Sequence, residues 1–331
     1  MWVLLCCECC CCSCCSCFQC AEGGLCGTSG RSCGFLPNPV DFIVEYGADA
    51  VDCVQLWPSQ PTGARNNAVD GGDRAIGLAV GAGGPTGGPF IDAVLDVLAE
   101  RIGWAPASAT SIVGTSAGAF VASRVGQPEA VDPRALEQLI ELNNISEWKA
   151  SLATKLMRGV RAAGGRTVAL LAPHERDQAL YDVAPPPYHP GARVVTVEHT
   201  WGTRHAHNLS EHEDSATAMV QASAAIPYKN GPIEIDGRLH ADGAVHSANN
   251  VDLLDPAVCP VIVVVSPMIP ASGGFTVSKF HRAQLVEELR PWHETGRAAV
   301  VIMPNEDEHA NRRDREFFRS AGTNAAERLF S

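Results

Sequence analysis

Ser111-Ile112-Val113-Gly114-Thr115-Ser116-Ala117-Gly118-Ala119-Phe120-Val121-Ala122-Ser123 decides the fold of this chain. A short apolar run leads into Gly-Thr-Ser-Ala-Gly, and a helix-compatible stretch follows. That is the strand, tight turn and helix of a G-x-S-x-G nucleophile elbow. Such a turn is strained, so the residues flanking Ser116 must be small. Gly114 and Gly118 let the helix start pack close to the strand, with Thr115 and Ala117 on either side of the serine. Ser116 Oγ is then left exposed at the strand's C-terminal end, beside a helix N-terminus that favours developing negative charge. Gly, Ser and Ala are common residues, so a purely structural turn is the alternative, and two further segments bear on the choice.

Upstream, Ala75-Ile76-Gly77-Leu78-Ala79-Val80 reads as a buried strand. It runs into Gly81-Ala82-Gly83-Gly84-Pro85-Thr86-Gly87-Gly88. Phe90, Ile91, Val94, Leu95 and Leu98 then recur at helix spacing. A glycine segment between strand and helix suits an anion, because backbone N–H groups can turn toward it without Cβ obstruction. A dinucleotide site would want a third glycine where Thr86 stands. A P-loop would want a lysine, and the segment has none. The other reading is an oxyanion hole for the downstream serine, where one lost donor typically costs ~10²–10³ in rate.

Downstream, Ile235-Asp236-Gly237-Arg238-Leu239-His240-Ala241-Asp242-Gly243-Ala244 begins with a hairpin signal and ends in a second Asp-Gly. Two plain turns is one reading. With an elbow and a glycine segment upstream, Asp242 becomes a candidate general base.

These segments, in this order, resemble the patatin-like phospholipase family. The resemblance runs from about Ala75 to about Pro304. It takes in Ala222-Ser223-Ala224-Ala225-Ile226-Pro227, and Asp242-Gly243-Ala244 leading to Asn249-Asn250-Val251-Asp252-Leu253-Leu254. It implies a Ser–Asp dyad that hydrolyses lipid esters: Ser116 as nucleophile, Asp242 as base, Gly83 and Gly84 as oxyanion donors. The chain departs from the family pattern in three places. Thr86-Gly87 stands for the usual Arg-Gly, Ala82 for a common glycine, and Ala244 for the second glycine of the base motif.

Composition narrows the partners. The net charge of −12 and pI near 5.3 argue against nucleic acid and against steady attachment to anionic membranes. The longest apolar runs, such as Val261–Val265, fall far short of the roughly 20 residues a bilayer span needs. Twelve of the fourteen cysteines crowd residues 1–33. Zinc binding and palmitoylation are open there, against a low-complexity segment without a fold. Residues 34–72 read as a linker, 73–305 as the catalytic domain and 306–331 as a helical tail. Only Cys259 follows the lead-in, which fits a reducing compartment. With no signal peptide evident, the expected location is the cytoplasm.

Between elbow and Asp242, Asp132-Pro133 reads as an N-cap with proline at N1, opening a helix through Leu142. Ser151–Val160 is expected as a basic amphipathic helix, either a solvated face or a lid making transient membrane contact. Val183–Tyr188 is a proline-stiffened break and Ala192–Val197 a strand. His199, His205, His207 and His212 with Glu198, Glu211, Glu213 and Asp214 read as a polar surface loop without metal spacing. Strands at Val261–Val265 and Ala298–Met303 flank a helix over Ser278–Leu289. A charged surface helix is expected over Asn305–Arg319.

Strands alternating with helices imply an α/β fold: a three-layer α/β/α sandwich with a mainly parallel central sheet. The site falls at the strands' C-terminal ends, and the chemistry asks for no metal or cofactor. Two rivals stand beside it. A Ser–His–Asp hydrolase would draw on His246, His281, His293 or His309, all after Asp242. A non-catalytic protein would use the glycine segment to hold an anion.

Overall fold

Strands β1 (Ile76–Val80), β2 (Ser111–Thr115), β7 (Val261–Val265) and β8 (Ala298–Ile302) are almost entirely buried. Their continuous apolar runs suit strands covered by helices on both faces. The computed structural model describes residues 75–145, 183–227, 229–273 and 276–331. The cysteine-rich segment, the lead-in and the helix expected over Ser151–Val160 lie outside the described residues.

Four more strands complete the sheet: β3 (Ala192–Glu198), β4 (Arg204–Asn208), β5 (Ile233–Ile235) and β6 (Arg238–Asp242). The order is β5-β6-β3-β2-β1-β7-β8, with β4 pairing along β3. The five strands from β3 to β8 are mutually parallel. β4, β5 and β6 form an antiparallel corner. The Asp236-Gly237 hairpin signal turns β5 into β6, with both residues at positive φ (50° and 75°), as a type I′ turn requires.

Alternate strand residues enter two separate cores, as the period of two demands. Leu78, Val80, Ile112, Val194, Val263 and Val300 face one core. It is closed by α1 (Gly84–Ile102), α2 (Ala117–Arg124), α3 (Pro133–Glu141), α4 (Ala216–Ser223) and α7 (Arg315–Glu327). Ala79, Val113, Val195, Val264 and Val301 face the other, under Leu285, Leu289 and Trp292 of α5 (Thr276–Glu294). The result is a three-layer α/β/α sandwich.

Three local expectations change. Pro85, Thr86 and Gly87 are the first turn of α1 rather than a loop, because proline at a helix start forfeits only an N–H that has no partner there. His205 and His207 lie on β4, not in a surface loop, since their rings pack on polar neighbours instead of an apolar face. The tail forms two helices, α6 (Glu306–Ala310) and α7. Phe318 of α7 is fully buried, its ring 4.8 Å from that of Phe90, so the charged pattern there describes only the outer face. Asp132 caps α3 as read, accepting from Arg134 N at 2.9 Å. No helix among the described residues is long and apolar enough to cross a membrane.

Candidate active site

Strand β3 acts as the template that brings the site together. β4 occupies one edge of β3 along Arg193–Val197. On the other edge, β2 pairs as far as Thr115↔Val195, and β6 takes over at Thr196↔Asp242. β2 and β6 run toward each other, so their C-terminal ends meet head-on. The residue after β2 is Ser116, and the last residue of β6 is Asp242.

Ser116 adopts φ 55°, ψ −116°, a region costly for a residue with a Cβ. Its surroundings hold it there. Ser116 N–H donates to Ser223 Oγ at 3.0 Å, and Ser116 C=O accepts from Ala119 N at 2.9 Å. Gly118 lies so close to β1 that a Cβ would come within 1.9 Å of Val80 O. A Cβ on Gly114 would in turn come within 2.6 Å of Gly118 O, so the helix start packs close on its own strand, as the sequence reading expects, and on the neighbouring strand as well. Where the sequence reading left its hydroxyl exposed, Ser116 is almost fully buried, because its Oγ turns in to donate to Asp242 Oδ2 at 2.9 Å.

Asp242 is fixed as firmly. Its N–H donates to Ala225 O at 2.9 Å, and its Oδ1 accepts from Ala244 N at 2.7 Å. The second Asp-Gly is therefore no hairpin but a strand end capping a short 3-10 turn, Gly243–Val245. A serine hydroxyl hydrogen-bonded to a positioned carboxylate can pass its proton along that bond. Among the described residues Ser116 is hydrogen-bonded to Ser223, Ala119 and Asp242, and none of these is a histidine.

The glycine segment lies alongside. Val80 pairs with Gly114, so the residues after β1 run level with the elbow. Gly81 N and Ala82 N are tied to Val265 O and Ala248 O at 2.9 and 2.8 Å. Gly83 has φ −166° and ψ 4°, and Gly84 has φ +60°, a turn that suits glycine. The N–H groups of Gly83 and Gly84 make no hydrogen bond among the described residues. Two unpaired amides at a helix start can receive an anion. A Cβ on Gly87 would sit 3.1 Å from that of Ala117, which brings the segment against the elbow.

Beside Asp242, which pairs with Thr196, two of the histidines read as a surface loop join His240 in a polar cluster on the sheet. Thr196 Oγ1 bonds both His207 Nε2 and His240 Nδ1 at 2.8 Å. The His205 ring stands 5.1 Å from that of His240. Burial, reinforced by neighbouring histidines, lowers His207 and His240 to about 4. Both rings are neutral at neutral pH. No group of three side chains able to hold a metal occurs among the described residues. His246 accepts Gln284 Nε2 at its carbonyl, and His309 is buried on α6, lowered to about 4 by burial first and then Arg312.

Two other contributors were not read from sequence. Ser223 falls inside the Ala-Ser-Ala-Ala-Ile-Pro segment that carried the resemblance, but nothing local marks its hydroxyl as an acceptor for the elbow. Asn250 donates to Thr115 Oγ1 at 3.1 Å, and Asn-Asn alone reads as a turn.

Among curated proteins no sequence matches significantly. The solved structure of VipD from Legionella pneumophila is similar at 13% identity and a TM-score of 0.35, covering 77% of this chain. This chain in turn spans 66% of that one. The family model for patatin-like phospholipases matches residues 80–255, more than half of the sequence. That match takes in the glycine segment, the elbow and the Asp242 turn together, and by it the chain belongs to the patatin-like phospholipase family.

Proposed function

We propose that this protein is a lipid acyl hydrolase that works through a Ser116–Asp242 dyad. The observation that carries the reading is the direct 2.9 Å bond from Ser116 Oγ to Asp242 Oδ2 on a strained elbow. Family membership supports the substrate class, esters of lipids.

Ser116 Oγ attacks the ester carbonyl as Asp242 accepts its proton. The carbonyl oxygen becomes an oxyanion and takes hydrogen bonds from Gly83 and Gly84 N–H, which make none among the described residues. Asp242 then returns the proton to the departing alcohol as the tetrahedral intermediate collapses to an acyl-Ser116 ester. Water then attacks that ester as Asp242 takes its proton, and the proton passes to Ser116 Oγ as the acyl–oxygen bond breaks and the fatty acid leaves. The bond from Ala244 N to Oδ1 leaves Oδ2 facing the serine throughout.

The test is an ester panel, from short soluble esters to phospholipid, lysolipid and acylglycerol, run on the full chain and on Ser116→Ala. Hydrolysis of at least one lipid ester, lost in the folded variant, is expected. A folded protein inactive on the whole panel, or a Ser116→Ala variant as active as the parent, overturns the reading.

A further inference from the structure

The residue before Ser116 is held from outside its own element. Thr115 ends β2, is fully buried and faces the α5 side with Val113. Its Oγ1 accepts from Asn250 Nδ2 at 3.1 Å. Asn250 is also fully buried and sits at φ +52°, where glycine would be less strained. Asparagine is one of the few residues with a side chain that visit that region readily, and here its hydrogen bonds give the side chain a role.

Every polar atom of that side chain is engaged. Nδ2 donates to Ser247 O at 2.7 Å as well as to Thr115. Oδ1 accepts from Arg204 Nη1 at 3.2 Å. The guanidinium can only donate, so it fixes the amide with its oxygen toward β4 and its nitrogen toward the elbow. Arg204 is itself anchored in a two-pronged pair with Asp252, at 2.7 and 3.0 Å. The backbone is pinned too. Asn250 N donates to Ser247 Oγ at 3.2 Å, and Val251 N to Glu288 Oε2 of α5 at 2.9 Å. Asn250 thus ties the end of β2 to β4 through Arg204, and its own loop is bound to α5.

We infer that Asn250 is a positioning residue for Ser116. By fixing Thr115 it sets where the elbow leaves the sheet, and so where Oγ points relative to Asp242. Ser223 holds Ser116 N–H independently, and both supports come from segments flanking Asp242 in sequence. The nucleophile is therefore registered to the elements that carry its partner carboxylate. The inference rests on the dyad reading above.

The test uses Asn250→Gly, which removes the side chain while suiting the positive φ, and Thr115→Val, which removes the acceptor at nearly the same shape. The readouts are kcat and KM on a short soluble ester, the rate of fluorophosphonate labelling, and circular dichroism to establish the folded fraction. A misplacement near 1 Å can cost ~10²-fold, so we expect each variant to lose about tenfold or more in kcat and in labelling rate. KM should stay within about twofold, because substrate binding is untouched. The double variant should fall no further than the worse single one, since both delete the same bond. Folded single variants with parental rates, or losses that simply multiply in the double, overturn the inference. If Asn250→Gly does not fold, Thr115→Val tests the same bond from its other end. Parent protein that does not label at Ser116 would instead bring down the dyad reading.

Discussion

The two halves of the sheet are built from different chemistry. β1, β7 and β8 offer unbroken apolar surface to both helical layers, and β2 offers Ile112 and Val113 before it ends in the polar Thr115. The corner made by β3, β4 and β6 places Thr196, Glu198, His205, His207, His240 and Asp242 on one face. The first half gives side chains to both apolar cores, whose burial stabilises the fold. The second holds polar groups that are desolvated, mutually bonded and sensitive to pH. Ser116 leaves the apolar half and Asp242 leaves the polar corner, so the proposed site lies on the seam where β2 and β6 meet. Stability and chemistry should therefore separate under mutation.

The largest effects belong to the seam. Asp242→Asn keeps the shape of the side chain but cannot accept the serine proton. It should lower ester hydrolysis about 10³-fold or more, as should Ser116→Ala. Thermal denaturation of each variant should remain cooperative. A folded Asp242→Asn protein with more than about a tenth of parental activity would dissolve the pairing of the two halves. Next comes Gly84→Ala. At φ +60° a Cβ costs about 1–2 kcal/mol, and relaxing that strain turns the amide away from the oxyanion. A loss of ~10²–10³ in kcat is expected, measured beside the melting temperature so that rate and stability are read apart.

The apolar half should behave in the opposite sense. Leu78→Ala removes a fully buried side chain and should cost about 2–5 kcal/mol in denaturant unfolding. Specific activity of the folded protein should stay within about twofold. A loss of activity out of proportion to stability would show that the halves are coupled more tightly than the packing implies.

The smallest expected effect is the pH dependence of the corner. His207 and His240 sit at about 4 in the folded protein, below the ~6.5 of an unfolded chain. Between those values the unfolded state binds more protons. Their contribution is therefore fully present above about pH 6.5 and is lost as pH falls toward 4. The melting temperature should decline over that window, and His207→Gln should flatten the decline relative to the parent. An unchanged slope would remove the histidines from the account.

Much of the seam was legible because its signals are local. The elbow, the glycine segment and Asp242 each announce themselves within a few residues. So do the buried strands, whose apolar runs are continuous. What escaped reading depends on distant contacts. Ser223 meets Ser116 across 107 positions, and Asn250 meets Thr115 across 135. β4 was invisible because a strand that packs histidines on threonine has no apolar alternation to detect. The two Asp-Gly pairs make the same point. Asp236-Gly237 is the hairpin that local chemistry predicts. Asp242-Gly243 is not, because Gly243 lies so close to β3 that a Cβ would come within 2.4 Å of Val195 O.

The most direct test of the dyad is fluorophosphonate labelling followed by peptide mass mapping, on the parent chain, on Asp242→Asn and on single replacements of His240, His246, His281, His293 and His309. The account predicts one adduct, on Ser116. It predicts labelling that falls about 10³-fold or more in Asp242→Asn and persists in every histidine variant. An adduct on another residue, undiminished labelling in Asp242→Asn, or abolition by a single folded histidine variant would contradict it.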